Sequence, residues 1–163
     1  MGARVTSHAD AGSRNGNLPT PLERRRPGRL HGGAVGAPEV IGEYLAAMER
    51  GDREAAVALY ADDVVMHVPG RSAFAGERRG RDAVLAYLRA ALERAEWGAQ
   101  VQLVDLLAGE GDRVALLLRE RLRGPRGELL LRRANVYTVR DGRIAGIRIF
   151  EHDQYAVDGY LEG

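Results

Sequence analysis

Four strand-length, apolar-rich stretches bounded by turns, over 99–108, 113–123, 128–140 and 143–152, constrain the fold most. Alternation with a period of two marks strands that bury one face. Glycine-containing turns at 109–112, 124–127 and 140–142 separate them. Connections this short join only antiparallel neighbours, so the second half of the chain predicts an antiparallel sheet.

A different period governs the residues ahead of it. Val40, Ile41, Tyr44, Leu45 and Met48 form one helical stripe over 38–50. Pro38 suits the first turn and Gly51 the stop. Asp52 can cap a second helix over 53–60. Residues 64–68 read as a strand closed by Pro69-Gly70, and 71–79 as a loop with room for a short hairpin. A third helix over 81–96 turns Val84, Leu85, Leu88 and Ala91 inward. Helices followed by an antiparallel sheet are the α+β pattern.

Composition sets the limits of this domain. With 45% apolar residues in 163, one domain over 37–163 can bury a core unaided. Residues 1–36 are rich in Arg, Gly and Pro and lack apolar periodicity, so they are expected to be disordered. Arg24-Arg25-Arg26 could serve as a basic arm, but a solvated tail is the plainer reading. No apolar stretch follows these charges, as a secretory signal requires. The tail has six arginines against Asp10 and Glu23, whereas the rest has 18 arginines against 21 acids. A net acidic domain is a poor match for nucleic acid. No run of about 20 apolar residues is present, so no membrane partner is expected and the expected location is cytoplasmic. Cysteine is absent and the four histidines are widely spaced, giving no metal motif. No cofactor is expected, because phosphate-loop and dinucleotide fingerprints are missing.

Turn geometry places side chains on faces. A turn at 124–127 puts Leu116 opposite Asn135, Leu118 opposite Arg133 and Glu120 opposite Leu131. A three-residue loop at 140–142 pairs Val139 with Arg143, and so Asn135 with Ile147, Arg133 with Ile149 and Leu131 with Glu151. A two-residue turn would instead pair Asn135 with Arg148. One face then carries Leu116, Leu118, Leu131, Ile147 and Ile149, with Glu120, Arg133, Asn135, Tyr137 and Glu151 among them. The other carries Arg119, Arg121, Arg132, Arg148 and Phe150. Polar groups among aliphatics are costly unless paired. They imply either a structural Glu120–Arg133–Glu151 ion cluster or a pocket whose polar groups orient a ligand.

The order of several short motifs is familiar. Tyr44-Leu-Ala-Ala-Met-Glu-Arg-Gly-Asp52, Leu59-Tyr60-Ala-Asp-Asp63, Val64-Val-Met-His-Val-Pro-Gly70, Gly80-Arg81-Asp82-Ala83 and Glu151-His-Asp-Gln-Tyr-Ala156 together resemble the SnoaL-like proteins. These belong to the ketosteroid-isomerase-like superfamily. The resemblance implies three N-terminal helices packed on a strongly curved, mixed and largely antiparallel sheet. This is a cone-shaped α+β barrel around a conical apolar pocket. It also implies a homodimer, here through the outer sheet face.

The resemblance suggests site residues as well. Tyr44 matches a tyrosine that, in steroid isomerases, donates to a developing enolate. Asn135 stands where those enzymes have a protonated aspartic acid. Val68 replaces their catalytic base, which argues against double-bond isomerisation by their route. Ring cyclases of the group use an acid late in the chain, for which Glu151 and Asp153 are candidates, unless Asp153 caps a final helix. Limonene-type epoxide hydrolases use an Arg-x-Asp pair, and Arg133-Arg-Asn135 keeps only its spacing. A carboxyl in an apolar pocket is raised in pKa, which suits proton transfer.

His67 is a further candidate proton carrier, although alternation sets it opposite to Met66 and Val68. Tyr60, Met66, Val68 and Trp97 are candidate lining residues, with plain core packing as the alternative. Two functions follow as expectations. The first is a cofactor-free cyclase, isomerase or epoxide hydrolase acting on an apolar carbonyl- or polyketide-like compound, with Tyr44 and Asn135 as donors and Glu151 or Asp153 as acid/base. The second is a non-catalytic ligand-binding or dimerising module of the same fold.

Overall fold

A computed structural model describes residues 36–162 except 95 and 110, with the backbone alone at Leu92. The expected disordered tail therefore lies outside the described residues, apart from Gly36.

The chain begins with α1 (Ala37–Glu49), whose first turn holds Pro38. It buries Ala37, Val40, Ile41 and Ala47, while Met48, expected on the stripe, is exposed. Gly51 adopts a left-handed φ of 71° and turns the chain. Asp52 accepts from the Ala55 amide at 3.0 Å and caps α2 (Arg53–Ala58). This helix stops two residues short of the expected end, because Tyr60 already belongs to β1 (Tyr60–Val68). The possible hairpin at 71–79 contributes β2 (Gly76–Arg79), antiparallel to β1. Then come α3 (Arg81–Glu93), β3 (Gly98–Ala108), β4 (Arg113–Gly124), β5 (Gly127–Arg140), β6 (Arg143–Glu151) and α4 (Gln154–Glu162).

The six strands form one mixed sheet in the order β2-β1-β6-β5-β4-β3. Only the β1–β6 pair is parallel. The sheet stays open, with β2 and β3 at its edges, so it is not the expected barrel. The helices do not all precede it either: β1 and β2 separate α2 from α3, and α4 closes the chain. Helix α1 packs on β4, β5 and β6, α3 on β1 and β2, and α4 on β5. The core lies between these helices and the sheet, around Ile41, Val64, Val84, Leu116 and Ile144. No described helix is long and apolar enough to cross a membrane.

Register decides which polar groups meet. The β4–β5 pairing follows the expected register, with Leu116 opposite Asn135 and Leu118 opposite Arg133. The β5–β6 pairing does not. Asp141 and Gly142 have φ of 53° and 70°, which makes a two-residue turn with Arg140 opposite Arg143. Positive φ at both central residues matches the twist of the flanking strands. A bulge then inserts Ala145, since Val139 pairs with Ile144 but Thr138 with Gly146. The Ile144 amide instead donates to the Leu59 carbonyl at 2.8 Å, tying the bulge to the start of β1. Turn and bulge together move the register by two residues from the expected one. Every side chain keeps its face, but Asn135 now faces Ile149 and Arg133 faces Glu151.

Candidate functional site

The inner face of the sheet carries a charged cluster among aliphatic side chains. Arg133 on β5 lies between Glu120 on β4, at 3.5 Å, and Glu151 on β6, at 2.9 Å. All three are nearly buried, with the Glu151 side chain only 4% exposed. Leu118, Leu131, Ile147 and Ile149 surround them. One guanidinium thus faces two carboxyls. Burial holds both Glu120 and Glu151 above the usual carboxylate range, and Arg133 only partly offsets this.

The cluster is incompletely satisfied. Glu151 Oε1 reaches Arg133, but Glu151 Oε2 has no hydrogen-bond partner. Arg133 Nε and Asn135 Oδ1 are also buried without partners. Asn135 sits two residues from Arg133 on β5, so both side chains point to the same face. Buried polar atoms without partners are rare in folded proteins, and each costs about 1–3 kcal/mol. Three of them lie on one patch of sheet.

A second group adjoins it. Tyr60 donates its hydroxyl hydrogen to Tyr44 at 3.1 Å, and the two rings meet edge to face at 5.7 Å. Tyr137 lies 6.0 Å from the Tyr44 ring. Burial pushes all three phenols up, so they stay protonated. Asn135 lies within hydrogen-bonding reach of Tyr137, linking the phenols to the charged cluster.

The structure therefore gathers Tyr44, Tyr60, Met66, Val68, Leu116, Leu118, Glu120, Arg133, Asn135, Tyr137, Ile147, Ile149 and Glu151 around the inner side of the sheet. Three expected site residues stay apart. His67 is exposed and alternates with the buried Met66 and Val68, so it belongs to the outer face. Asp153 is exposed and accepts from the Ala156 amide at 3.0 Å, which makes it the cap of α4. Trp97 is 65% exposed and lines no part of the cluster.

Two residues escaped the sequence reading. Tyr87 on α3 faces the cluster, and Arg133, Glu151 and Glu120 all act on its hydroxyl. Its place three residues after Val84 on the inner stripe was the available signal. Asp158 on α4 is buried and accepts from the Arg71 and Ser72 amides and from Gln154. Those amides lie 87 and 86 residues away, so no local pattern marks it.

The expected conical pocket is not an enclosed cavity. Two hollows among the described residues are open rather than enclosed. One, of about 180 Å³, is lined by Leu131, His152, Asp153 and Ala156. The other, of about 360 Å³, has Leu117, Leu118, Arg133, Ala134, Phe150 and Glu151 among its lining residues. The inner face is open beside β3, where Val101 pairs with Glu120 and Leu103 with Leu118. Both of these apolar residues are exposed. Among the described residues no three His, Asp or Glu side chains gather as metal ligands.

A six-stranded mixed sheet with a buried polar cluster on the face that carries the core makes this an α+β protein. The SnoaL-like domain family matches residues 41–147, and the chain belongs to it. An uncharacterized protein of Mycobacterium tuberculosis is 33% identical over 124 residues, covering 75% of this chain and 93% of that protein. A Xanthomonas campestris protein of unknown function with a cystatin-like fold superposes with a TM-score of 0.71 at 25% identity, covering 78% of this chain and 99% of that one. A Mycobacterium tuberculosis protein solved with estradiol-17beta-hemisuccinate gives a TM-score of 0.58 at 24% identity, covering 70% of this chain and 92% of that one.

Proposed function

We propose that the inner face binds a small, mainly apolar molecule whose polar end meets Arg133, Asn135 and Glu151. The three partnerless buried atoms there carry this reading. The likeness in fold to a protein solved with a steroid derivative is consistent with a ligand of that size. Exposed Val101 and Leu103 give the apolar body of such a ligand a surface beside the cluster. Arg133 held between two carboxylates favours a binding site over a site primed for one fixed reaction.

A second reading has its own observation. Glu151 keeps one oxygen on Arg133 and the other bare, and its carboxyl is raised by burial. Such a group can exchange a proton with a bound molecule. On that reading the protein is a cofactor-free acid/base enzyme of the cyclase, isomerase or hydrolase kind, with Glu151 as the proton carrier.

Native mass spectrometry of the purified protein tests the first reading. Wild type should carry a small molecule that Asn135→Leu loses while remaining folded. Equal retention by both proteins would move the ligand elsewhere. Once that molecule is identified, Glu151→Gln separates the readings. Loss of turnover supports proton transfer, and absence of turnover in wild type leaves binding alone.

A further inference from the structure

The charge count of the site restricts what it binds, given the inner-face binding reading above. Arg133 supplies one positive charge, and Glu120 and Glu151 supply two negative ones. Of the three partnerless atoms, Glu151 Oε2 and Asn135 Oδ1 are acceptors and only Arg133 Nε is a donor. Among the described residues no second cation forms an ion pair with Glu120 or Glu151. Helix α3 presents the Tyr87 phenol, and α4 presents Asp158, whose charge acts on Glu151 in the same direction as Glu120. On β2, Arg78 stacks on the Tyr87 ring, 5.8 Å from its centre, where its charge acts on the Tyr87 hydroxyl, and it donates to the Phe74 carbonyl.

We infer that the ligand is an amine on an apolar body, not a carboxylate, sulfate or phosphate. An ammonium would donate to Glu151 Oε2 and Asn135 Oδ1 and would balance the surplus carboxylate. A hydroxyl elsewhere on the ligand could accept from Arg133 Nε. An anionic head would meet two buried carboxylates and one guanidinium that both already hold, and burying it there is costly. The phenols bring no charge to this balance, because burial keeps Tyr44, Tyr60 and Tyr137 protonated.

The site also sets the pH dependence of such binding. Both carboxyls are raised by burial, so in the empty protein they take up protons above the usual carboxylate range. An ammonium replaces such a proton. Its affinity should therefore rise with pH through the raised carboxyl range, until the amine itself loses its charge.

Three probes that share one apolar body test this: 1-naphthylmethylamine, 1-naphthylmethanol and 1-naphthoate, titrated by calorimetry into the full chain. The amine should bind about tenfold or more tightly than the naphthoate, with the alcohol between them. Glu151→Gln, which keeps the shape of the side chain, should shrink that ratio, and wild type should bind the amine more tightly as pH rises. Naphthoate binding as tightly as the amine overturns the inference, as does an amine preference that Glu151→Gln leaves intact. The underlying site reading fails separately, if Asn135→Leu binds all three probes as wild type does. Should wild type bind none of them, both ideas fail.

Discussion

Arg132 and Arg133 are neighbours in the chain and opposites in the structure. Arg133 points inward, nearly buried, between two carboxylates. Arg132 points outward, is exposed, and forms no ion pair among the described residues. The same holds across the sheet. Leu116, Leu118, Ile147 and Ile149 are buried on the inner side, while Arg119, Arg148 and Phe150 are exposed on the outer. Arg119 even pairs directly with Arg132 across β4 and β5. Like charges placed opposite one another are tolerable only where water screens them. A charge on the inner face must find a partner or a ligand, whereas one on the outer face needs neither.

If burial is what separates the two faces, substitutions on them should differ sharply. Leu116→Ala, at a residue packed under α1, should lower unfolding stability by about 2–5 kcal/mol in urea denaturation. A loss below about 1 kcal/mol would mean that the inner face is not the packed one.

A smaller effect comes from the charged cluster and depends on pH. Glu120 is held above the usual carboxylate range when folded. The unfolded chain then releases its proton first, so this group favours folding most at low pH. Its contribution is lost as pH rises through the raised value. Glu120→Gln should therefore gain stability relative to wild type as pH rises from acid toward neutrality. Parallel stability curves for the two proteins would break the link between burial and charge on this face.

The smallest effect belongs to the outer face. Phe150→Ser removes a large apolar side chain that is 51% exposed, and should change stability by no more than about 0.5 kcal/mol. A much larger loss, shrinking as the protein is diluted, would instead reveal a second copy docked on Phe150.

Much of this contrast could be read from the sequence. Period-two alternation sorted Leu116, Leu118, Arg133 and Asn135 to one face and Arg119 and Arg132 to the other. The turn between Gly124 and Gly127 fixed the β4–β5 register, because a tight turn leaves few ways to close. Helix α1 was legible from its apolar stripe, Pro38 and Gly51. His67 had already been set on the wrong side by alternation, and Asp153 had its capping role as an alternative. The motifs that resemble the SnoaL-like proteins pointed to the family to which the chain belongs.

Local pattern thus determined which elements form and which side of the sheet each side chain takes, because both depend on neighbours within a few residues. Contacts between distant segments decided the rest. The Ala145 bulge, where the Ile144 amide turns to Leu59, adds to the two-residue turn to set Arg133 opposite Glu151 rather than Ile149. Packing of α3 against the sheet brings Tyr87 to the cluster, and the Arg71 and Ser72 amides bury Asp158. Whether a strand carboxylate lies paired or bare is fixed by those distant partners, and one strand's sequence holds no record of them.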